Sequence, residues 1–378
     1  MKKILLIGGI TLAVVFGGIS YLFFSTIDED SMRESMISST KELLGNQMEI
    51  NGEVSVKLFP SPVVTMHDIK VKNKQDFSAE YLATIDSLEA RIKFSSLFSL
   101  PIVIDKVTLK NANLFLETKF NGAVNYDFPF LKSSNRAISK DDMLGQTLLD
   151  LPPQFQNIVF ENATITYKNQ KAGTTQTISN INGQLTSSSI TGPFDYNGTI
   201  MVNKMTMNTK FHLDKISANP QTLFSLSLLT ESSQSSLNIT DGQINRLGDV
   251  TQTITGPFSF SIPKLGSFLN EQFGYKNLPA DLNRSIIGNG QFTFSNKESS
   301  LTEIATRFGE DNIENALSAN VSTIYPVTPN EQAKTQVVLR FVKLNLDTFK
   351  SYLPHLSDTK ETLSKLRMTI PNAIDFLA

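Results

Sequence analysis

From residue 51 onward the chain alternates apolar and polar positions with period two. Val54, Val56 and Leu58 alternate with polar partners, Pro60 and Pro62 interrupt them, and Ile69 and Val71 resume the alternation before Lys72-Asn73. Alternation punctuated by Gly, Pro and Asn predicts strand after strand. The first fifty residues follow other rules. Ile4 to Phe24 is an uncharged, mostly apolar run, and at about 1.5 Å per helical residue it spans roughly the 30 Å of a hydrocarbon core. It predicts a membrane anchor over 1–27. A cleaved signal peptide is the rival reading, with small residues at Gly18-Ile19-Ser20, but the apolar stretch runs on through Tyr21, Leu22, Phe23 and Phe24. Met32, Met36, Ile37, Leu43 and Leu44 then recur at helical spacing, which predicts an amphipathic helix over 28–50 capping the end of the sheet.

One strand is repeated, and it changes face in the middle. Val107-Thr-Leu-Lys-Asn-Ala-Asn-Leu-Phe-Leu116 matches Ile158-Val-Phe-Glu-Asn-Ala-Thr-Ile-Thr-Tyr167 in character at each position, and Ile69-Lys-Val-Lys-Asn73 is a shorter echo. Apolar residues occupy one parity before the Asn-Ala pair (Val107, Leu109; Ile158, Phe160) and the other after it (Leu114, Leu116; Ile165, Tyr167). With a period of two, they stay on one face only if the backbone gains a residue at a bulge or corner. The repeat therefore predicts a bent sheet with one apolar face, lined by Val107, Leu109, Leu114, Leu116, Ile165 and Tyr167, with Lys110 and Glu161 in water. Two unrelated strands of a sandwich are the alternative.

Composition narrows the chemistry. The 34 Lys+Arg nearly cancel the 36 Asp+Glu, which argues against a nucleic-acid partner. With no Cys, disulfides and thiolate chemistry are excluded. His67, His212 and His355 are far apart in sequence and read as ordinary surface or edge residues, and no HExxH, EF-hand or phosphate-loop pattern is present. Asn182-Gly183, Asp241-Gly242 and Gly288-Asn289-Gly290 read as turns. Glu231 to Ser236 reads as a solvated loop, and Asp141-Asp142 as the start of a short helix. No catalytic residue, cofactor or metal site is expected.

Several motifs together resemble the AsmA family. They are Gly52-Glu-Val54 with Pro60, the strand Ile69–Asn73, Leu88–Leu97 leading to Ile102–Leu109, and above all Gly122-Ala-Val-Asn125-Tyr126. The family motif is usually Gly-x-x-Asn-Trp; here Tyr126 replaces the Trp, and the chain has no Trp. Thr191-Gly-Pro-Phe194 and Thr255-Gly-Pro-Phe258 resemble the family's Gly-Pro strand openings, Lys264–Leu269 with Leu278-Pro279 a short helix after them, and Leu344–Asp347 a late strand. The resemblance implies an inner-membrane anchor carrying a folded-over β-sheet with an apolar interior, related to bridge-like lipid transfer proteins.

The expected fold is mainly β: a transmembrane helix, then an elongated, curled antiparallel sheet forming a groove over 51–350 with a few short helices, and a helical tail over 351–378. The expected ligands are phospholipid acyl chains, favoured by roughly 0.8 kcal/mol per buried methylene. Roughly twenty strands at about 4.8 Å each make a trough on the order of 95 Å, short for reaching a second membrane alone, so outer-membrane or other envelope proteins are expected as partners. An assembly factor working through sheet edges is the alternative function, and a periplasmic enzyme a third. Lys2-Lys3 before the anchor and Asp28-Glu29-Asp30 after it place the N-terminus in the cytoplasm and the rest in the periplasm. A reporter active only outside the cytoplasm, fused after Ala378, should therefore be active; a silent reporter there, with a cytoplasmic one working, contradicts this orientation.

Overall fold

The computed structural model describes residues 45–57, 61–93, 103–127, 157–188, 191–216, 221–247, 251–274, 284–309, 317–328 and 331–341, with a few isolated positions besides. The apolar run at 4–24, the helix expected near Asp141, His355 and the tail at 351–378 lie outside these residues. Two compact units are present, Met1–Phe224 with Ile244–Gln252, and Ser225–Gln243 with Thr253–Ala378.

The first unit is a β-sheet. Its strands are β1 (Met48–Ile50), β2 (Val54–Lys57), β3 (Val63–Lys72), β4 (Tyr81–Ile92), β5 (Val103–Lys110), β6 (Asn113–Thr118), β7 (Gln154–Phe155), β8 (Asn157–Asn169), β9 (Thr174–Ser187), β10 (Phe194–Val202) and β11 (Met205–Leu213). β1 and β2 both pair with β3. Met48, assigned by its spacing to the capping helix, thus belongs to β1, where it pairs with Val71 and is buried. Upstream, Arg33, Glu34, Ile37, Ser38 and Lys41 are helical, with Ile37 half-buried and Glu34, Ser38 and Lys41 exposed. The Arg33 guanidinium donates to the carbonyls of Ile50 and Gly52, so this helical segment is tied to the first edge of the sheet.

The repeated strands lie side by side. β5 and β6 are two halves of one bent strand, and both run parallel to β8, with Val107 beside Ile158, Leu109 beside Phe160, Leu114 beside Ile165 and Leu116 beside Tyr167. β5 also pairs in parallel with β7. The sheet is therefore mixed, which corrects the antiparallel expectation. A parallel neighbour needs a crossover of a dozen residues or more, and residues 119–156 supply it. The remaining pairs of this unit are antiparallel, β8 with β9, β9 with β10 and β10 with β11 included.

The parity change is a crease that crosses neighbouring strands. Buried apolar residues lie three apart around two polar ones at Met66-His-Asp-Ile69, Ile85-Asp-Ser-Leu88, Leu109-Lys-Asn-Ala112 and Phe160-Glu-Asn-Ala163. Asp68, Asn111, Asn162 and, on β9, Asn180 have φ of 48°, 50°, 56° and 46°. Asn and Asp tolerate this left-handed region better than other side-chain-bearing residues, and the extra residue returns the apolar side chains to their face. A polar ladder runs along the crease: Asn111 Nδ2 donates to Asp86 Oδ2 at 2.9 Å, Asn162 Nδ2 to Asn111 Oδ1 at 2.8 Å, and the Asn162 backbone N–H to Asn182 Oδ1 at 2.8 Å. On the same outer side, exposed Lys110 and Glu161 form an ion pair at 3.5 Å, as their side of the flip requires.

The second unit holds β12 (Gln221–Thr230) and β13 (Ser236–Asn245) in part, then β14 (Thr253–Ile262), the helix α1 (Leu265–Phe273), β15 (Ile286–Phe294), β16 (Glu298–Phe308), β17 (Leu317–Ile324) and β18 (Lys334–Phe341). From β14 to β18 each strand pairs antiparallel with the next. α1 matches the short helix expected near Lys264–Leu269 and ends at Gly274, whose φ of 72° and N–H bond to the Asn270 carbonyl form a left-handed cap.

Three glycine sites read as turns lie inside strands instead. Gly183 in β9 faces Gly198 in β10, and a Cβ on Gly198 would sit 2.2 Å from the Asn182 carbonyl oxygen. Gly242 lies in β13, where the backbone of Gly256 approaches so closely that a Cβ there would meet the Gly242 Cα at 2.8 Å. Gly288 and Gly290 pair with Phe260 and Phe258 of β14, whose rings occupy the places their own side chains would take. The two Gly-Pro motifs also differ: Phe194 opens β10 directly after one, whereas Gly256-Pro257 lies within β14.

If the crease rests on left-handed Asn residues, Asn162→Val, which brings β-branching and removes the amide, should destabilise the chain by about 2 kcal/mol. Asn162→Gly should lose less than half of that. Chemical unfolding followed by circular dichroism tests the order; equal losses would mean that the backbone conformation contributes nothing.

Candidate functional site

The predicted apolar face exists in the first unit as a set of rows across the sheet. Val64, Ala90, Val107, Ile158, Leu185 and Tyr196 form one row on β3, β4, β5, β8, β9 and β10; Met66, Leu88, Leu109 and Phe160 form the next. Beyond the crease come Ile69, Ile85, Ala163 and Ile181, then Val71, Ala83, Leu114, Ile165 and Ile178. Of the six residues named from sequence, Val107, Leu109, Leu114, Leu116 and Ile165 are no more than 3% exposed. Tyr167 is half-buried, and its hydroxyl hydrogen-bonds Thr118 Oγ1 at 3.0 Å. All six therefore share one side, but that side is packed in this unit.

A polar brace holds the end of β6 beside these residues. Gly122–Tyr126 turns back so that the Asn125 amide, completely buried, accepts from the Glu117 N–H at 2.8 Å and donates to the Phe115 carbonyl at 2.9 Å and Asn73 Oδ1 at 3.1 Å. The buried Tyr126 hydroxyl meets Thr118 Oγ1 at 3.0 Å, and burial raises its pKa well above the ordinary tyrosine value. Glu117 is also fully buried. Burial works to raise its pKa, but bonds from the Ser78 N–H (2.7 Å), Gln170 Nε2 (2.7 Å) and the Ser78 hydroxyl (2.8 Å), with Lys168 at 3.6 Å, outweigh it and hold the carboxylate below its ordinary value. The Asn-Tyr motif thus satisfies the buried Glu117 N–H, Phe115 carbonyl and Thr118 hydroxyl, while Ser78, Gln170 and Lys168 satisfy the carboxylate; it is a structural device.

In the second unit the apolar face is only partly covered: Ile286, Phe292 and Ala319 are buried, while its β18 side and Phe294 are exposed. Ile254, Phe258, Phe260 and Ile262 of β14 pair with Phe294, Gly290, Gly288 and Ile286 of β15. Phe292, Leu301, Val321 and Val337 continue the face over β15, β16, β17 and β18, as do Ile304, Ala319 and Leu339. Phe258 and Phe260 stack with ring centroids 6.3 Å apart. The opposite side of the same strands carries Thr253, Thr255, Ser259, Ser261, Asn289, Gln291 and Thr293, with Pro257, Ile287, Ile324 and Val338 as apolar exceptions. Phe294, Val337 and Leu339 remain 44%, 48% and 52% exposed. These three residues leave part of the apolar side in contact with water, unlike the rows of the first unit.

Two polar readings from sequence need correction. Glu231–Ser236 is not simply solvated: Ser233 and Ser235 are buried in the hairpin between β12 and β13, with Thr230 Oγ1 to Ser233 Oγ at 2.7 Å and Ser233 Oγ to Ser235 Oγ at 2.9 Å. His212 is not an isolated surface residue. Its Nδ1 lies 2.6 Å from Asp195 Oδ1 and its Nε2 3.0 Å from Asp214 Oδ1. Because carboxylates only accept, both contacts are hydrogen bonds only when the ring is an imidazolium. His212-Leu-Asp214 was a legible signal, since residues two apart share a strand face; Asp195 comes from the neighbouring strand and was not. His67 is exposed, as expected.

Among the described residues, no group of His, Cys, Asp and Glu is arranged to hold a metal ion, and no helix is long and apolar enough to cross a membrane; the 4–24 run lies outside them. The family model that matches the chain is that of the AsmA family, over residues 1–304. No curated protein matches the chain.

The Asp195 bond, opposed by burial and aided by Asp214, raises the His212 pKa above its ordinary value. A raised folded-state pKa stabilises fully below the unfolded pKa of about 6.5 and is lost as pH rises through the folded value. His212→Gln should therefore destabilise the protein at pH 6 by under about 1 kcal/mol, given the partial exposure, and have less effect at pH 9. Denaturation midpoints of both proteins at the two pH values test this; a pH-independent difference would mean that the imidazolium bonds contribute nothing.

Proposed function

The chain belongs to the AsmA family, and on that premise we propose that it binds phospholipid by its acyl chains along an apolar sheet face and moves it between the inner and outer membranes, in support of outer-membrane biogenesis. The proposal places the chain in the inner membrane by the helix expected over 1–27, with the sheet in the periplasm. It has no catalytic step, cofactor or metal: the sheet offers surface, and the ligand supplies methylenes that leave water.

The observation that carries the proposal is the contrast between the two faces of β14–β18. One side is apolar and partly open, with Phe294, Val337 and Leu339 about half exposed; the other is mainly Ser, Thr, Asn and Gln. An acyl chain laid on the open side removes apolar surface at about 25 cal/mol per Å², while the headgroup stays in water. The six residues named from sequence lie on the apolar side of the first unit, and the proposal puts first contact on the second unit, where the surface is accessible.

One observation favours the assembly-factor alternative in part. β18 pairs only with β17 among the described residues, and an edge unpaired among those residues offers a template for another strand. The edge at β1 and β2, by contrast, is made of short strands with Arg33 bonded across it.

Site-specific photo-crosslinkers separate the readings. Probes at Phe294 and Leu339 should capture phospholipid, and probes at Thr293 and Arg340, on the other side of the same strands, should not. Leu339→Asp, which puts a carboxylate where methylenes should lie at several kcal/mol unless protonated, should lower lipid occupancy with the protein at normal levels. Leu114→Asp, at a site only 3% exposed, should instead lower the amount of folded protein. Equal lipid capture from both sides of β18 would overturn the proposal, and protein capture at Arg340 without lipid at Leu339 would move the edge reading ahead.

A further inference from the structure

The side of β14–β16 opposite the apolar face carries a cleft of about 230 Å³, several times the ~30 Å³ share of one water molecule. The register explains its shape. Pro257 faces Gln291 and Ser259 faces Asn289 across the β14–β15 pair, so four side chains of one face meet in a square, each opposite pair with Cβ atoms about 5 Å apart. Thr240 of β13 flanks this square on one side and Glu303 of β16 on the other.

Glu303 is the unusual member. It sits at the crease of β16, between Leu301 and Ile304, with φ of 52°, where the first unit uses Asp68, Asn111, Asn162 and Asn180. Its backbone N–H is held by Asn320 Oδ1 at 2.8 Å, as that of Asn162 is held by Asn182. Glu lacks the tolerance of Asn and Asp for this conformation, so the backbone carries strain here that an Asn would relieve, and bulges re-aim side chains at such positions. Among the described residues, the Glu303 carboxylate and the Asn289 and Gln291 amides have no intramolecular hydrogen-bond or ion partner.

We propose that this cleft binds a hydroxyl-rich saccharide, on the face opposite the apolar one. Asn289 and Gln291 each donate and accept, as sugar hydroxyls do, and Glu303 accepts. No cation lines the cleft, which disfavours phosphate and sulfate groups. Pro257 offers apolar surface to a ring's C–H side. The inference does not rest on the lipid reading, because its residues lie on the other side of the strands.

The test is saturation-transfer NMR and calorimetry on the full chain in detergent micelles, with the tetrasaccharide of N-acetylglucosamine and with maltotetraose. Binding of at least one with a Kd of about 10 mM or tighter is expected. Glu303→Asn should weaken it by about tenfold or more while the unfolding temperature stays the same or rises. The double variant Asn289→Ala/Gln291→Ala, on exposed positions, should lose binding and keep its unfolding temperature. No saccharide signal at that concentration, unchanged binding in the double variant, or displacement of the sugar by equimolar ethanolamine, which would make this an amine site, would each overturn the proposal. A lower unfolding temperature for Glu303→Asn would also overturn it, because the glutamate would then be part of the fold.

Discussion

A strand presents successive side chains to opposite faces, and everything notable in this chain follows from how that rule is kept across a bend. A bent strand must lose its apolar face or gain a residue. Here it gains one, and the residue that supplies it is Asp or Asn in the left-handed region at Asp68, Asn111, Asn162 and Asn180. Asn111 and Asn162, side by side in the register, share a hydrogen bond that Asp86 and Asn182 extend across the sheet, and the apolar rows on either side stay aligned. The crease is thus both a backbone solution and a polar seam on the outer side.

The two units use the same rule to different ends. In the first, the apolar rows are closed, and the brace of Glu117, Asn125 and Tyr126 satisfies the polar groups enclosed near them. In the second, the apolar face is built from the same alternation but left partly open, with phenylalanines lying over glycines to cover the backbone. Closed rows confer stability; an open apolar face leaves apolar surface for a ligand. The outer side of the second unit is also distinct, because its crease carries Glu303 where the first unit carries Asn or Asp.

Much of this was legible in the sequence. The repeated parity change at Asn111-Ala112 and Asn162-Ala163 announced the crease, and the same spacing was present, unread, at Met66–Ile69, Ile85–Leu88 and Leu301–Ile304. The parallel pairing of β8 with β5 and β6 was not legible, because a strand's alternation is the same for either neighbour direction. Gly183, Gly242, Gly288 and Gly290 misled because glycine marks close backbone approach and ring cover within sheets as well as turns. The His212 bridge and the Glu303 cleft depend on residues that only the strand register brings together. Burial was the hardest feature to foresee: alternation identifies the apolar side, but not whether it is packed, and that separates Leu114 from Leu339.

The central claim is that the open apolar face carries lipid. Its most direct measurement is mass spectrometry of the lipids retained when the full chain is extracted in polymer nanodiscs, washed free of loosely held membrane and released without detergent, beside a chain truncated before Thr253. The account predicts phospholipid in stoichiometric amounts with the full chain, beyond the annular lipid common to both, and little excess with the truncated one. Identical lipid content in the two would contradict it.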